Sequence, residues 1–167
     1  MSYTPVLPIT RMPPPGSYLI PSMNVDIVAA TAADLNEVLE LLEHNHLPRA
    51  EIERHLGTLL VAREGERIVG CAAVELHGKA GLVRSVAVDL PHRGLGLGIQ
   101  LTDAILALAR SHGVKTVYLL TETAAGFFPR FGFRSIRREE VDPAVRRSVE
   151  FTKACPASAQ AMRAELR

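Results

Sequence analysis

Cysteine is scarce in this 167-residue chain: Cys71 and Cys155 are the only two, and they form no CxxC pair. That argues against a disulfide framework and against a structural zinc site, and leaves free thiols as the expectation. A surplus of one charge sign is also missing. Nineteen basic against eighteen acidic side chains give a net charge of +1, so nothing attracts a nucleic-acid backbone or an anionic membrane over a long range. Long hydrophobic runs are absent too. The strongest apolar tract, around Ile105 to Ala109, falls far below the roughly 20 residues of a bilayer span, so no membrane role is expected. Hydrophobic residues at 47% and charged residues at 22% fit one ordinary globular domain with its own core.

Proline is concentrated at the front. Pro5, Pro8, Pro13, Pro14, Pro15 and Pro21 interrupt the stretch where an export signal would need an apolar run, which predicts a cytoplasmic protein. Residues 1–23 read as a proline-rich N-terminal arm, with Met23 a candidate natural start, and residues 24–167 as a single domain.

Within the domain, Val25 to Val28 alternates as a short strand, and Thr31 is placed to cap a helix carrying Leu35, Val38, Leu39 and Leu42. A short helix is expected over Arg49 to Leu56. Strands are expected over Thr58 to Arg63, Ile68 to Leu76 and Leu82 to Val88, joined as hairpins at Glu64–Arg67 and His77–Gly81. The helix from Leu97 to His112 has Leu97, Leu101, Ile105 and Leu108 as an inward stripe and ends at Gly113. A strand at Val114 to Leu120 then completes a parallel crossover. A short helix over Ala124 to Arg130, a strand near Phe133 to Ile136, a helix capped by Asp142 with Pro143 in its first turn, and a closing strand at Ala161 to Leu166 follow. The fold class is therefore α/β (α+β), with a mixed sheet of six to seven strands and about four helices.

The most informative stretch is Arg93-Gly94-Leu95-Gly96-Leu97-Gly98, between a strand ending at Val88 and an amphipathic helix. Glycines let backbone N–H groups converge on a ligand, and the helix start adds partial positive charge, so together they suit phosphate oxygens. Arg93 supplies a full charge. A flexible surface loop is the bland alternative; three alternate glycines plus an arginine at a strand-to-helix junction outweigh it. The P-loop pattern needs a lysine that this loop does not have, and the GxGxxG fingerprint fails because Ile99 stands where its last glycine belongs.

Arg93, Gly96 and Gly98 match the pyrophosphate loop of the GCN5-related N-acetyltransferase (GNAT) superfamily, which this chain resembles from Val25 to about Ile136. Ala125-Gly126-Phe127-Phe128-Pro129-Arg130-Phe131-Gly132-Phe133 looks like that family's second signature. Narrower stretches, Leu82 to Val88, Tyr118 to Ala125 and Glu150 to Ser158, resemble the ArsN-type acetyltransferases associated with arsenic resistance. The resemblance implies acetyl-CoA as cosubstrate and no metal. It implies a sheet splayed at the cofactor slot, with Val86, Ala87 and Val88 beside the pantetheine arm. The amides of Gly94, Leu95, Gly96, Leu97, Gly98 and Ile99 would hold the pyrophosphate, with Phe127 touching the cofactor.

Acetyl transfer to an amine needs a free amine, a polarised thioester carbonyl, orientation and a proton for the leaving thiolate. By resemblance the N–H of Val86 meets the carbonyl. Glu75 and Glu122 lie at ends of apolar strands, where a carboxylate pKa can rise, and are the candidate bases; the alternative for each is a rim carboxylate paired with an arginine. Arg84 interrupts an apolar strand and is a candidate for binding a substrate oxyanion, against a solvent-facing edge charge. Phe128 stands where many family members have a proton-donating tyrosine. Ser85, Thr121, Thr123 and Tyr118 are the replacement hydroxyls, Ser85 entering the catalytic set and Thr121 the substrate set; otherwise the thiolate leaves unaided, since an ordinary thiol pKa is ~8.5.

Several features read as structural: the His44/His46 pair as a loop, Cys155 as a small buried residue rather than a metalloid ligand, and Arg137, Arg138, Arg146 and Arg147 as a solvated face. The expected activity is acetyl transfer to a small-molecule amine, an amino acid or arsenic-containing analogue. A CoA-binding sensor or scaffold without turnover, and a protein N-acetyltransferase, are the alternatives. A homodimer through the final strand stays open.

Overall fold

A computed structural model describes residues 24–167, so the proline-rich arm and Met23 lie outside the described residues. The described chain forms seven strands, the central ones buried along nearly their whole length: β1 (Val25–Ala29), β2 (Leu59–Glu64), β3 (Arg67–His77), β4 (Ala80–Val88), β5 (Thr116–Thr121), β6 (Arg134–Ile136) and β7 (Gln160–Glu165). Three α-helices accompany them: α1 (Leu35–His44), α2 (Leu97–Ser111) and the single turn α3 (Pro143–Arg146). The strand order is β1-β2-β3-β4-β5-β7-β6. Every pairing is antiparallel except β4 with β5, which α2 joins as the expected parallel crossover. Among the described residues, no helix is long and apolar enough to cross a membrane.

Two apolar layers sandwich the first half of the sheet. Leu97, Leu101 and Ile105 of α2 pack on Ala62, Val69, Ala72 and Val74, while Val38 and Leu42 of α1 pack on Val61, Cys71 and Ala73 of the opposite face. A third cluster joins Tyr118, Ile136, Val141 and Val145 beneath the β5-β7-β6 corner. The α2 layer sits so close that a side-chain carbon at Gly70 would stand 2.8 Å from Leu101 Cδ1, so this strand position has no room for one.

Several local expectations need correction. Thr31 heads a 3-10 turn, Ala32–Asp34, that feeds α1, where the Asp34 carboxylate accepts from Thr31 N–H at 2.8 Å and from Arg63 Nη2 at 2.6 Å. The helix expected over Arg49 to Leu56 is instead a 3-10 segment at Ile52–Thr58, because Glu51 takes φ +59° and His55 departs from helical angles. Of the span Ala124 to Arg130 only the last three residues are helical, within a 3-10 turn at Phe128–Phe131. There Ala124 N–H donates to Thr121 Oγ1 at 2.9 Å and Pro129 has no N–H to give. Arg138 leaves the solvated face: its Nη2 donates to Pro156 O at 2.6 Å and its guanidinium lies over the Phe151 ring.

Candidate active site

The strands β4 and β5 pair only from Ala80/Thr116 to Leu82/Tyr118 and then part, although β4 runs on to Val88 and β5 to Thr121. From Val83 onward, the side of β4 that faces β5 has no ladder partner. A bulge deepens the break: the β3–β4 register shifts between Cys71/Ala87 and Ala73/Arg84, and Ser85 adopts φ +60°. A bulge bends its strand and re-aims side chains. The parted strands open a cavity of about 410 Å³, walled by Ser85, Val86, Thr121, Glu122, Thr123 and Phe128, among others.

At one end of the parted strands stands the glycine turn. Gly94 and Gly96 take φ +80° and +90°, left-handed angles that carry the chain from the strand exit into α2, whose first residue is Leu97. The first turn of a 15-residue helix leaves N–H groups without intrahelical acceptors, pointing outward with the positive end of the helix dipole. Arg93 braces the turn, donating from Nε to Val88 O at 3.1 Å and from Nη2 to Asn45 Oδ1 at 2.6 Å. Leu97 is buried in the core, Gly98 and Ile99 are half-buried, and Leu95 is exposed. Phe127 flanks the turn: a side-chain carbon on Gly98 would lie 3.6 Å from its Cζ. Its ring meets Phe128 edge-on at 5.1 Å and carries Arg130 at 4.7 Å. Val86 and Val88 are half-buried along the opening, with Ala87 between them turned into the α1 layer.

The cavity floor is ionic. Arg84 is neither on an edge nor in solvent: it lies in β4 between β3 and β5, 3% exposed. Each of its three guanidinium nitrogens meets an internal acceptor: Nε to Ser85 Oγ at 3.1 Å, Nη1 to Glu75 Oε2 at 2.9 Å, and Nη2 to Ala50 O at 2.8 Å. Nη2 also lies 3.4 Å from Glu150 Oε2. Arg84 lines the cavity, yet its charge is already spent on two carboxylates.

Glu75 runs opposite to the expectation of a raised pKa. Burial opposes its ionisation, but hydrogen bonds from His77, Arg84 and Ser148 outweigh that and hold the carboxyl down to about 2. It sits beneath Arg84, with His77 Nε2 at 2.9 Å and His55 Nε2 at 3.4 Å. Burial also pushes the His55 imidazole down. Glu122 is exposed, just past the end of β5, on the cavity rim. Tyr118 departs from the hydroxyl set: it is buried in the third cluster, under Arg163, and does not line the cavity.

Glu150, which carries no role in the sequence reading, is the carboxylate that the structure brings to the cavity wall. It is 5% exposed, in a π-helical turn at Glu150–Ala154, and its Oε2 has no hydrogen-bond partner. Cys155 closes the same wall, half-buried rather than fully buried, with Sγ donating to Glu150 Oε1 at 3.4 Å. His46, at φ +57°, and Asn45 also line the cavity.

These features define an α/β protein with a split sheet, a glycine turn leading into a helix N-terminus at one end of the split and a charged cavity within it. The chain matches, over residues 55–135, the family model described as "Acetyltransferase (GNAT) domain". It is 33% identical over 129 residues to an amino-acid acetyltransferase of Azotobacter vinelandii, an alignment covering 72% of this chain and 30% of that protein. The chain thus spans under a third of that relative's length. In fold it is similar to N-acetylglutamate synthase from Neisseria gonorrhoeae complexed with coenzyme A and N-acetyl-glutamate. The TM-score there is 0.73 at 20% identity, over 86% of this chain and 35% of that one. A Mycobacterium tuberculosis protein in complex with CoA aligns with TM-score 0.72 at 23% identity, over 85% of this chain and 99% of that one.

Proposed function

We propose that this protein transfers an acetyl group from acetyl-CoA to the amine of a small molecule. The observation that carries the reading is the parting of β4 from β5 next to the glycine turn. That arrangement offers a strand edge with free polar groups for an extended amide-bearing chain, and converging N–H groups for a diphosphate. Gly94, Leu95, Gly96, Leu97, Gly98 and Ile99 supply those N–H groups, Arg93 adds charge, and Phe127 packs against the ligand. Val86, Ala87 and Val88 supply the strand edge, the Val86 N–H polarising the thioester carbonyl. Ser85 and Thr121 line the cavity, and Ser85 Oγ, which accepts from Arg84 Nε, would serve the leaving thiolate.

The domain match and the name of the Azotobacter relative support an amino acid as acceptor. Likeness to ArsN-type motifs supports an arsenic-containing amino-acid analogue as the sharper candidate, in a cytoplasmic setting. Arg84 would hold the cavity together rather than grip a substrate carboxylate, because its nitrogens are committed internally. The test is calorimetry with CoA, followed by thiol-release assays on L-glutamate, L-glutamine, ethanolamine and amino acids bearing an arsenic or phosphorus oxyanion. Binding with turnover of at least one amine is expected. Absence of CoA binding at millimolar ligand overturns the reading, and binding without turnover of any amine leaves a sensor.

A further inference from the structure

We infer that Glu150 is the group that takes the proton from the acceptor's ammonium, with Arg84 as the clamp that holds its carboxylate against the cavity. The inference rests on the acetyl-transfer reading and adds a residue to it. Three carboxylates stand at or near the cavity, and the structure separates them. Glu75 has both oxygens occupied, Oε1 by His77 and Oε2 by Arg84. Glu122 is exposed and draws on bulk water. Glu150 alone combines near-complete burial, a place on the cavity wall and an oxygen, Oε2, with no hydrogen bond. Arg84 Nη2 comes within 3.4 Å of Oε2 without a hydrogen bond, and leaving a buried carboxylate oxygen without one costs free energy unless a donor arrives; a primary ammonium entering the cavity is such a donor.

The groups facing Glu150 fix its behaviour. Burial pushes its carboxyl up, Arg84 of β4 and the Cys155 thiol of its own turn pull it down, and the charge of Glu75 on β3 pushes it up again. His55 and His77 reach only as far as Glu75. The net direction is upward, toward the range in which a carboxylate accepts and returns a proton near neutrality. In the step, an ammonium N–H bond breaks and its proton joins Glu150 Oε2, freeing the nitrogen lone pair. That lone pair forms the C–N bond to the thioester carbonyl, the C–S bond breaks, and the nitrogen's second proton goes to the departing sulfur, giving amide and thiol. Glu150 then releases its proton to solvent at the mouth, where Glu122 stands.

Glu150→Gln tests this in the full chain. With whichever amine the wild type acetylates, kcat/KM at pH 7 is expected to fall ~10²- to 10⁴-fold while the CoA Kd stays within about twofold. The loss should shrink as pH rises toward the amine's own pKa, since a neutral amine needs no base. A variant that keeps kcat/KM within twofold and the wild-type pH profile overturns the inference and leaves the acetyl-transfer reading standing. A wild type that acetylates nothing fails that reading first and takes this role with it. Carboxyl-carbon NMR gives a second readout, with the Glu150 signal assigned by its loss in Glu150→Asp. Titration above the ordinary glutamate value of ~4.3 is expected, and titration at or below it overturns the inference even if Glu150→Gln misfolds.

Discussion

Arg84 Nη1 donates to Glu75 Oε2 at 2.9 Å across side chains that are 0% and 2% exposed, so the centre of the sheet contains an ion pair sealed from water. A pair so placed adds little over a well-packed apolar pair, but losing one member strands the other in a poorly solvating interior. Arg84→Met is therefore expected to lose ~3–5 kcal/mol in urea unfolding, and Arg84→Met with Glu75→Leu to lose less than the single change. A double variant no better than the single would contradict the pairing.

The same pair sets an acid limit. The Glu75 carboxyl is held down to about 2 in the fold, whereas an unfolded glutamate titrates near ~4.3. Its contribution is complete above the unfolded value and is lost as pH falls through that window toward 2. Glu150 has the opposite sign: its raised carboxyl makes the ionised form a burden at neutral pH that disappears in acid. Thermal scans at pH 7 should show Glu150→Gln melting above the wild type, and the gap should close by about pH 4.

The glycine turn can be probed without touching the cavity. Gly96 sits at φ +90°, so Gly96→Ala is expected to cost about 1–2 kcal/mol in stability and to weaken CoA binding by displacing the N–H groups. Arg93→Ala leaves the backbone angles alone. A loss of roughly ten- to hundredfold in CoA affinity, shrinking in high salt, is expected from removing charge-assisted bonds. Calorimetry at two ionic strengths reads both.

Ser85 takes φ +60° at the bulge, an angle that a β-branched residue resists. Ser85→Val should flatten the bulge and abolish CoA binding, whereas Ser85→Gly should bind CoA normally. Equal binding by both would detach the bulge from the slot.

Thiol chemistry gives an independent view of the cavity wall. Burial and then the adjacent Glu150 charge push the Cys155 thiol up to about 12, and burial does the same to Cys71. Both should alkylate slowly at pH 8 as read by intact mass. Glu150→Gln should quicken Cys155 and leave Cys71 unchanged.

Features governed by near neighbours were legible in the sequence. Pro143 after Asp142 announces a helix start, and Asp142 Oδ1 does accept from Ala144 N–H at 2.8 Å. The glycine turn, the α2 stripe and the parallel crossover follow from local chemistry in the same way. Glu75, Arg84 and Glu150 did not, because they come from β3, β4 and a distant turn, and only the folded sheet makes their charges meet. The expectation of a raised Glu75 pKa failed because hydrogen bonds from His77, Arg84 and Ser148 outweigh burial; the alternative of a carboxylate paired with an arginine holds, though the pair is buried rather than on a rim. The bulge at Ser85 is hidden as well, since serine gives no local sign of a positive φ.

The order β5-β7-β6 has a consequence for how the domain assembles. β6 has three residues and pairs only with β7, and β5 meets β7 along its whole length. Neither can dock its free side until the chain beyond Cys155 has been laid between them. The front hairpins close between neighbours in sequence, whereas β7 must reach back to β5, so refolding is expected to regain the hairpins before the β5–β7 pairing beside the cavity.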